Sequence, residues 1–245
     1  MSRSEVLGIP LDKVTLKEAR QQLAIWLQED KTRLVFTPNA EIIALAQDNP
    51  ELKKALITAD LTVPDGIGVV WAARWLQSPL PERVPGIDLL QELMELAAEK
   101  GYSVYFLGSS PGVANEAARR LKKQHAGLYV IGTHHGYFSA EQEKDIISQI
   151  QEHRPDILVV ALGAPKQELW LVKHRRQLPV KIAIGVGGSL DVLAGQVKRA
   201  PAFWQRLGLE WLYRILTQPK RLKRAWQLPR FVWMVLSPKS RHDNT

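Results

Sequence analysis

The 245-residue chain contains no cysteine. Disulfides, thiol nucleophiles and Cys-ligated zinc or iron–sulfur sites are therefore excluded, and the composition suits a reducing compartment. No stretch approaches 18 consecutive apolar residues, so no membrane-spanning helix is expected. Met1–Lys13 includes Glu5 and Asp12 and lacks an apolar core before a small-residue cleavage site. A signal peptide is not expected there, and the sequence reads as a soluble cytoplasmic protein. Internal repeats and low-complexity segments are missing too. With 45% hydrophobic and 24% charged residues, the chain has the composition of a folded domain rather than a disordered one.

What is present is unevenly distributed. Residues 196–245 carry 11 Lys and Arg against Glu210 and Asp243, whereas residues 1–195 carry 22 basic and 23 acidic groups. The same C-terminal fifth holds four of the eight tryptophans, Trp204, Trp211, Trp226 and Trp233. Two parts are expected: a nearly neutral body over 1–195 and a basic, Trp-rich helical appendage over 196–245.

In the body, short apolar runs ending in turn residues recur at 34–39, 61–66, 103–109, 129–133, 157–163 and 181–187. Their length, β-branched content and near-continuous hydrophobicity suit buried parallel strands. Helical patterns with start signals lie between them. Thr15 with Glu18 and Ser139 with Gln142 form capping boxes, Asn39 can cap the helix that follows it, and Pro111 or Pro165 suits a first helical turn. This alternation implies an α/β fold, a Rossmann-like and mainly parallel sheet flanked by helices. Ligands in such folds bind beyond the carboxyl ends of the strands. The polar residues at those ends are Thr37, Asn39, Asp65, Ser109, His134, Tyr137, Gln167, Ser189 and Asp191.

Each of these has a chemical and a plain reading. Gly185-Val-Gly-Gly-Ser-Leu-Asp191 follows a strand run and opens a helix, a place where backbone amides can approach a diphosphate. It is also a tight turn and nothing more unless a ligand occupies it. G-x-G-x-x-G fails at Leu190, and no phosphate-loop motif occurs. Gly108-Ser-Ser-Pro-Gly112 matches the pattern of a hydrolase nucleophile elbow, but the oxyanion-donating position is Pro111, which has no N–H. Ser109 and Ser110 are expected to cap a helix or line a polar site. His134 and His135, adjacent in an extended segment, should point to opposite faces and not share a metal. No Asp-x-Asp pair is present to hold a divalent cation, so neither a metal nor a cofactor is expected. Tyr137 offers a flat surface on which a base could stack, or a core aromatic. Asp65, in the turn Val63-Pro-Asp-Gly-Ile67, is either a helix cap or a general base, which needs a carboxylate near an acceptor hydroxyl without a quenching cation. Arg83 lies in a proline-bracketed loop and can clamp oxygens with its planar fork, or stay solvated. Gln167 can read sugar hydroxyls or cap its helix.

The appendage is helical in pattern over 201–237, with breaks expected at Pro219 and Pro229. Phe203, Trp204, Leu207, Trp211 and Ile215 recur at helical spacing as an apolar face, and Arg214, Arg221 and Arg224 would share one side of a continuous helix. Basic, Trp-bearing amphipathic helices suit an anionic membrane surface. A structural or oligomer contact and nucleic-acid binding use the same composition, although no recognised nucleic-acid-binding motif accompanies the charge.

Taken together, TPNAEI (37–42), VPDGIG (63–68), PERVPGIDL (81–89), GTHHGYF (132–138), LGAPKQE (162–168), GVGGSLDVLAG (185–195), VKRAP (197–201) and LEWLYRI (209–215) resemble a bacterial glycosyltransferase family. It is the family of the wall-teichoic-acid N-acetylmannosaminyltransferase and the enterobacterial-antigen N-acetylmannosaminuronic acid transferase. The resemblance implies transfer of N-acetylmannosamine from its UDP donor to the 4-hydroxyl of N-acetylglucosamine on undecaprenyl diphosphate, with inversion and without a metal, in teichoic-acid linkage-unit synthesis. It suggests Asp65 as catalytic base, with Thr37, Asn39, Arg83 and Gln167 around the sugars. Tyr137 and Asp191 would contact uridine, and the Gly187/Gly188 turn the diphosphate. Arg214 would assist catalysis, and Arg221 and Arg224 bind substrate, all three from an appendage that covers the site and meets the inner face of the cell membrane. A homo-oligomer built through the body is also implied. A transferase of the uronic acid form, or a non-catalytic membrane-associated nucleotide-sugar-binding protein, are the alternatives.

Overall fold

A computed structural model describes residues 2–217 and 226–237. All six apolar runs form strands: β3 (Arg33–Phe36), β4 (Leu61–Thr62), β5 (Ser103–Gly108), β6 (Tyr129–His134), β7 (Ile157–Ala161) and β8 (Ile182–Gly185). They build one parallel sheet in the order β4-β3-β8-β7-β5-β6. The run at 61–66 pairs over only two residues because Pro64 cannot donate to a ladder. The chain nevertheless continues alongside β3, with Val63 N donating to Phe36 O at 3.0 Å and Asp65 N to Pro38 O at 3.1 Å.

One element was not foreseen. Before the sheet, β1 (Arg3–Val6) and β2 (Ile9–Asp12) form an antiparallel hairpin. Its turn residues Leu7 and Gly8 both have positive φ, a backbone shape usually signalled by Asn-Gly or Asp-Gly. The hairpin is tied to the sheet by Asp12, which is buried and accepts from Arg3 Nε at 2.9 Å and Thr62 N at 2.8 Å.

Helices cover both faces: α1 (Leu16–Trp26), α2 (Ala40–Asp48), α3 (Pro50–Ile57), α4 (Ile67–Trp75), α5 (Gly86–Lys100), α6 (Val113–Gln124), α7 (Ala140–His153), α8 (Lys166–His174) and α9 (Ser189–Leu193). Both capping boxes form, at Thr15 and at Ser139, and Asn39 Oδ1 accepts from Ile42 N at 3.0 Å to cap α2. Alternating strand residues feed two cores. Leu34, Phe36, Leu158 and Val160 face one side, while Val35, Ile157 and Val159 face the other. The second layer is thus continuous beneath a sheet whose β7 is buried at every residue, as expected for a central parallel strand.

Among the described residues the C-terminal segment forms three helices, α10 (Ala202–Arg206), α11 (Glu210–Thr217) and α12 (Gln227–Leu236). The break between the first two falls at Gly208, whose φ of 71° ends the helical path. Phe203, Leu207 and Trp211 therefore do not form one continuous helical stripe, and all three are exposed. Pro229, expected as a breaker, sits in the first turn of α12, where its missing N–H has no intrahelical partner to lose. Pro219 lies outside the described residues. α12 packs on α2, placing Phe231 and Val235 fully inside the first core, and Arg230 pairs with Asp48. Among the described residues no helix is long and apolar enough to cross a membrane.

Candidate active site

Every strand of the sheet ends on the same side, and the loops that follow line two adjoining cavities. The first, about 710 Å³, is bounded by Ser109 and Ser110 after β5, Gly136–Ser139 after β6, Gly163 and Lys166 after β7, and Gly187, Gly188 and Asp191 after β8. The second, about 590 Å³, takes in Thr37, Asn39, Asp65, Arg83, Gln167 and Glu210. Gly163, Gly187 and Gly188 line both. Eight of the nine polar strand-end residues thus line one of the two cavities, although they come from segments up to 154 residues apart in the chain; His134 lines neither.

Local chemistry explains each placement. Gly66, with φ 127°, turns the chain sharply out of β4 into α4, so that Asp65 lines the second cavity. The Arg83 loop is held against that turn by Val84 N donating to Pro64 O at 3.0 Å. It is pinned from outside by Glu82 Oε1, which accepts from Leu16 N at 2.6 Å. Arg83 itself reaches Glu210 of α11, Nη1 to Oε2 3.5 Å. Thr37 is buried against Gly86, where a Cβ would come within 2.7 Å of its Oγ1, and it donates to Gly185 O at 3.4 Å. Asn39 both caps α2 and lines the cavity, so the two readings of it coexist.

Gln167 has a more particular position. It is buried, Gly187 N donates to its Oε1 at 2.9 Å, and its Nε2 donates to Glu168 Oε1 at 2.8 Å. Its amide therefore holds the glycine turn rather than capping α8, whose cap residue is Pro165. Glu168 is buried beneath it, and burial pushes its carboxyl above the ordinary value of 4.5 against the opposing hydrogen bonds from Gln167 and its own backbone.

In the first cavity, Ser109 takes a left-handed φ of 57° and donates through Oγ to Asp191 Oδ1. Both serines line the cavity and neither caps α6, whose cap residue is Gly112. Tyr137 is 70% exposed at the rim, so it is not a core aromatic. Lys166, which the sequence reading passed over, extends its Nζ to Gly136 O at 3.3 Å and over the Phe138 ring at 4.4 Å from the centroid. The two histidines do not point apart. β6 ends at His134, strand alternation stops there, and the rings lie 4.5 Å apart. Among the described residues no group of three or more His, Asp or Glu is arranged to hold a metal ion.

Arg199 was likewise not singled out. It lies half-buried and ion-paired with Asp88 at 2.6 Å. Burial works against its charge, but Asp88 outweighs that, aided by Glu210 and Asp65, and holds the guanidinium above its ordinary value. The signal for it was its place beside an expected strand-end site in VKRAP, with no local pattern of its own. From the C-terminal segment, Trp211, Ile215, Leu228, Phe231 and Val232 line the second cavity, together with Ile67 and Trp71 of α4. Arg214 belongs to α11, but its side chain lies outside what is described, as do Arg221 and Arg224 entirely.

The family model of the "Glycosyl transferase WecG/TagA/CpsF family" matches residues 4–245. A Bacillus spizizenii protein named N-acetylglucosaminyldiphosphoundecaprenol N-acetyl-beta-D-mannosaminyltransferase is 38% identical over 211 residues, covering 86% of this chain and 81% of its own length. A Staphylococcus aureus (strain MRSA252) protein of the same name is 33% identical over 240 residues, covering 97% and 94%. A parallel α/β sheet with its loops converging on a two-part cleft, matched over nearly its whole length by that family, identifies the chain as a glycosyltransferase that belongs to the WecG/TagA/CpsF family.

Proposed function

We propose that this protein moves N-acetylmannosamine from UDP-N-acetylmannosamine to the 4-hydroxyl of N-acetylglucosamine on undecaprenyl diphosphate, in teichoic-acid linkage-unit synthesis. The observation that carries this reading is the glycine wall, Gly163, Gly187 and Gly188, shared by the cavity of Tyr137 and Asp191 and the cavity of Asp65. A nucleotide in the first and an acceptor sugar in the second would meet across it, with the diphosphate beside backbone that carries no side chain. The names of the two relatives give the lipid-linked acceptor and the sugar transferred.

In this mechanism the Asp65 carboxylate accepts the proton of the acceptor hydroxyl as its oxygen attacks the anomeric carbon. The bond from that carbon to the β-phosphate oxygen breaks, and its electron pair leaves with UDP. Attack from the face opposite the leaving group inverts the anomeric centre. Arg199, ion-paired with Asp88, lies close enough to Asp65 for the carboxylate's charge to act on the guanidinium. Tyr137 stacks on uracil, Asp191 accepts from the ribose and Gly187 and Gly188 approach the diphosphate. Thr37, Asn39 and Arg83 surround the sugars, and Gln167 holds the turn between the two cavities. Arg214, Arg221 and Arg224 would add cations to the departing nucleotide. Residues 1–195 are then the catalytic body and 196–245 an appendage that covers the cleft. Its exposed Trp211, Trp226 and Trp233, with its basic charge, favour peripheral attachment to the inner face of the cell membrane. Assembly into a homo-oligomer through the body remains part of this reading.

The test is a panel of UDP-sugars with a short-chain lipid-diphosphate N-acetylglucosamine, products read by mass, run on wild type and Asp65→Asn. Wild type should use UDP-N-acetylmannosamine, and Asp65→Asn should lose transfer by at least a hundredfold while still binding UDP. Wild-type turnover in Asp65→Asn would remove it as the base, and UDP binding without transfer by wild type would favour a non-catalytic role.

A further inference from the structure

We propose that Lys166 is a diphosphate-binding catalytic residue, the cation this chain's own body presents to the leaving nucleotide. The inference rests on the reading of the first cavity as the nucleotide site. Among the described residues lining that cavity only two are charged, Lys166 and Asp191. Asp191 is engaged by the Ser109 hydroxyl and is negative, so by itself it would repel a phosphate. A nucleoside diphosphate brings two or more negative charges into this space, and Lys166 is the group that can offset them there.

The lysine is held for that task. Its ammonium donates to Gly136 O at 3.3 Å and stands 4.4 Å from the centroid of the Phe138 ring, two contacts from one loop that fix a side chain otherwise exposed. An ammonium has three donors, and a single carbonyl uses one. Gly136 and Phe138 flank Tyr137, so the cation is anchored beside the proposed base platform. From the other direction, Lys166 follows Gly163, which borders both cavities, by three residues. The charge therefore stands in the first cavity beside the Tyr137 loop, on a segment whose Gly163 borders the second cavity as well. When the glycosidic carbon–oxygen bond breaks, the β-phosphate gains a negative charge, and a fixed cation interacts more strongly with that state than with the intact donor. Loss of Lys166 should then lower turnover as well as affinity.

The experiment titrates uridine, UMP and UDP calorimetrically into the full chain and into Lys166→Arg, Lys166→Gln and Lys166→Ala, and measures donor kcat and KM for each. The side chain is exposed, so these substitutions leave folding intact, which thermal melts verify. Uridine affinity should stay within about twofold throughout, while UDP affinity falls roughly ten- to a hundredfold in Gln and Ala and is largely restored in Arg. The same order in kcat supports a role in the departing charge. Unchanged UDP affinity in Lys166→Gln overturns the proposal. Equal losses for uridine and UDP also overturn it, because the lysine would then only brace the Gly136–Phe138 loop. A wild-type protein that binds none of the three ligands refutes the nucleotide site itself, an outcome separate from a lysine that fails within a site that binds UDP.

Discussion

Replacing Gln167 with alanine should loosen the turn between the two cavities, because its amide is the bridge between that turn and the interior. The substitution deprives Gly187 N–H of an acceptor at 2.9 Å and Glu168 Oε1 of a donor at 2.8 Å. A buried polar group left without its partner costs about 1–3 kcal/mol, so the pair of losses bounds the destabilisation at about 2–6 kcal/mol. Gly187 is only half-buried and opens onto both cavities, so water can replace one partner and the lower half of that range is expected. The functional loss should exceed what stability alone dictates, since a displaced turn misaligns whatever bonds to it; misplacement of about 1 Å costs on the order of a hundredfold in rate. Gly185→Ala probes the same link from the other side. Its added Cβ would stand 3.1 Å from Gln167 Nε2, so the amide must shift by a few tenths of an ångström, and a smaller effect of the same sign is expected. Denaturant titration gives the stability change, and steady-state transfer kinetics with the donor varied separates KM from kcat. A Gln167→Ala protein with wild-type stability and wild-type donor KM would refute the bridge.

Two further outcomes follow from the interior. Burial raises the Glu168 carboxyl above 4.5, so the folded protein holds that proton more tightly than the unfolded chain. Its contribution to stability is complete below about pH 4.5 and declines as pH rises through the raised folded value. Glu168→Gln, which keeps the shape and cannot ionise, should remove that decline, and parallel melting-temperature profiles for the two proteins would contradict it. Phe231→Ala empties a site in α12 that is 1% exposed and packed on α2, and should cost about 3–5 kcal/mol in denaturant titration. A loss under about 1 kcal/mol would mean that α12 does not share the core in solution.

The site was legible in the sequence to the extent that its residues follow strands. Thr37, Asp65, Tyr137 and Asp191 each stand just past an apolar run, and a parallel sheet sends all such positions to one edge. Their division between two cavities was not legible, because it depends on the strand order β4-β3-β8-β7-β5-β6, in which β8 is inserted between β3 and β7. Lys166 and Glu168 were passed over for a related reason. A lysine and a glutamate within the first turn of a helix look like ordinary helix residues until the loop from β6 meets Lys166 and Gln167 links Glu168 to the turn after β8. The hairpin at 3–12 was missed because Leu7-Gly8 is a weak turn signal, and its stability comes from Asp12 bonding to β4, fifty residues away.

Composition and local pattern alone settled the absence of thiol chemistry, the basic and Trp-rich end, the six strand segments and the helix starts at Thr15, Asn39 and Ser139, since each is decided by side-chain type or by neighbours within about four residues. Packing alone decided that Arg83 meets Glu210 across 127 positions and that Gln167 bridges Glu168 to Gly187. Packing also decided that Phe231 shares a core with α2. Such contacts arise when distant segments are forced together by burial of both faces of the sheet, and no local propensity encodes the partner that a side chain will find there.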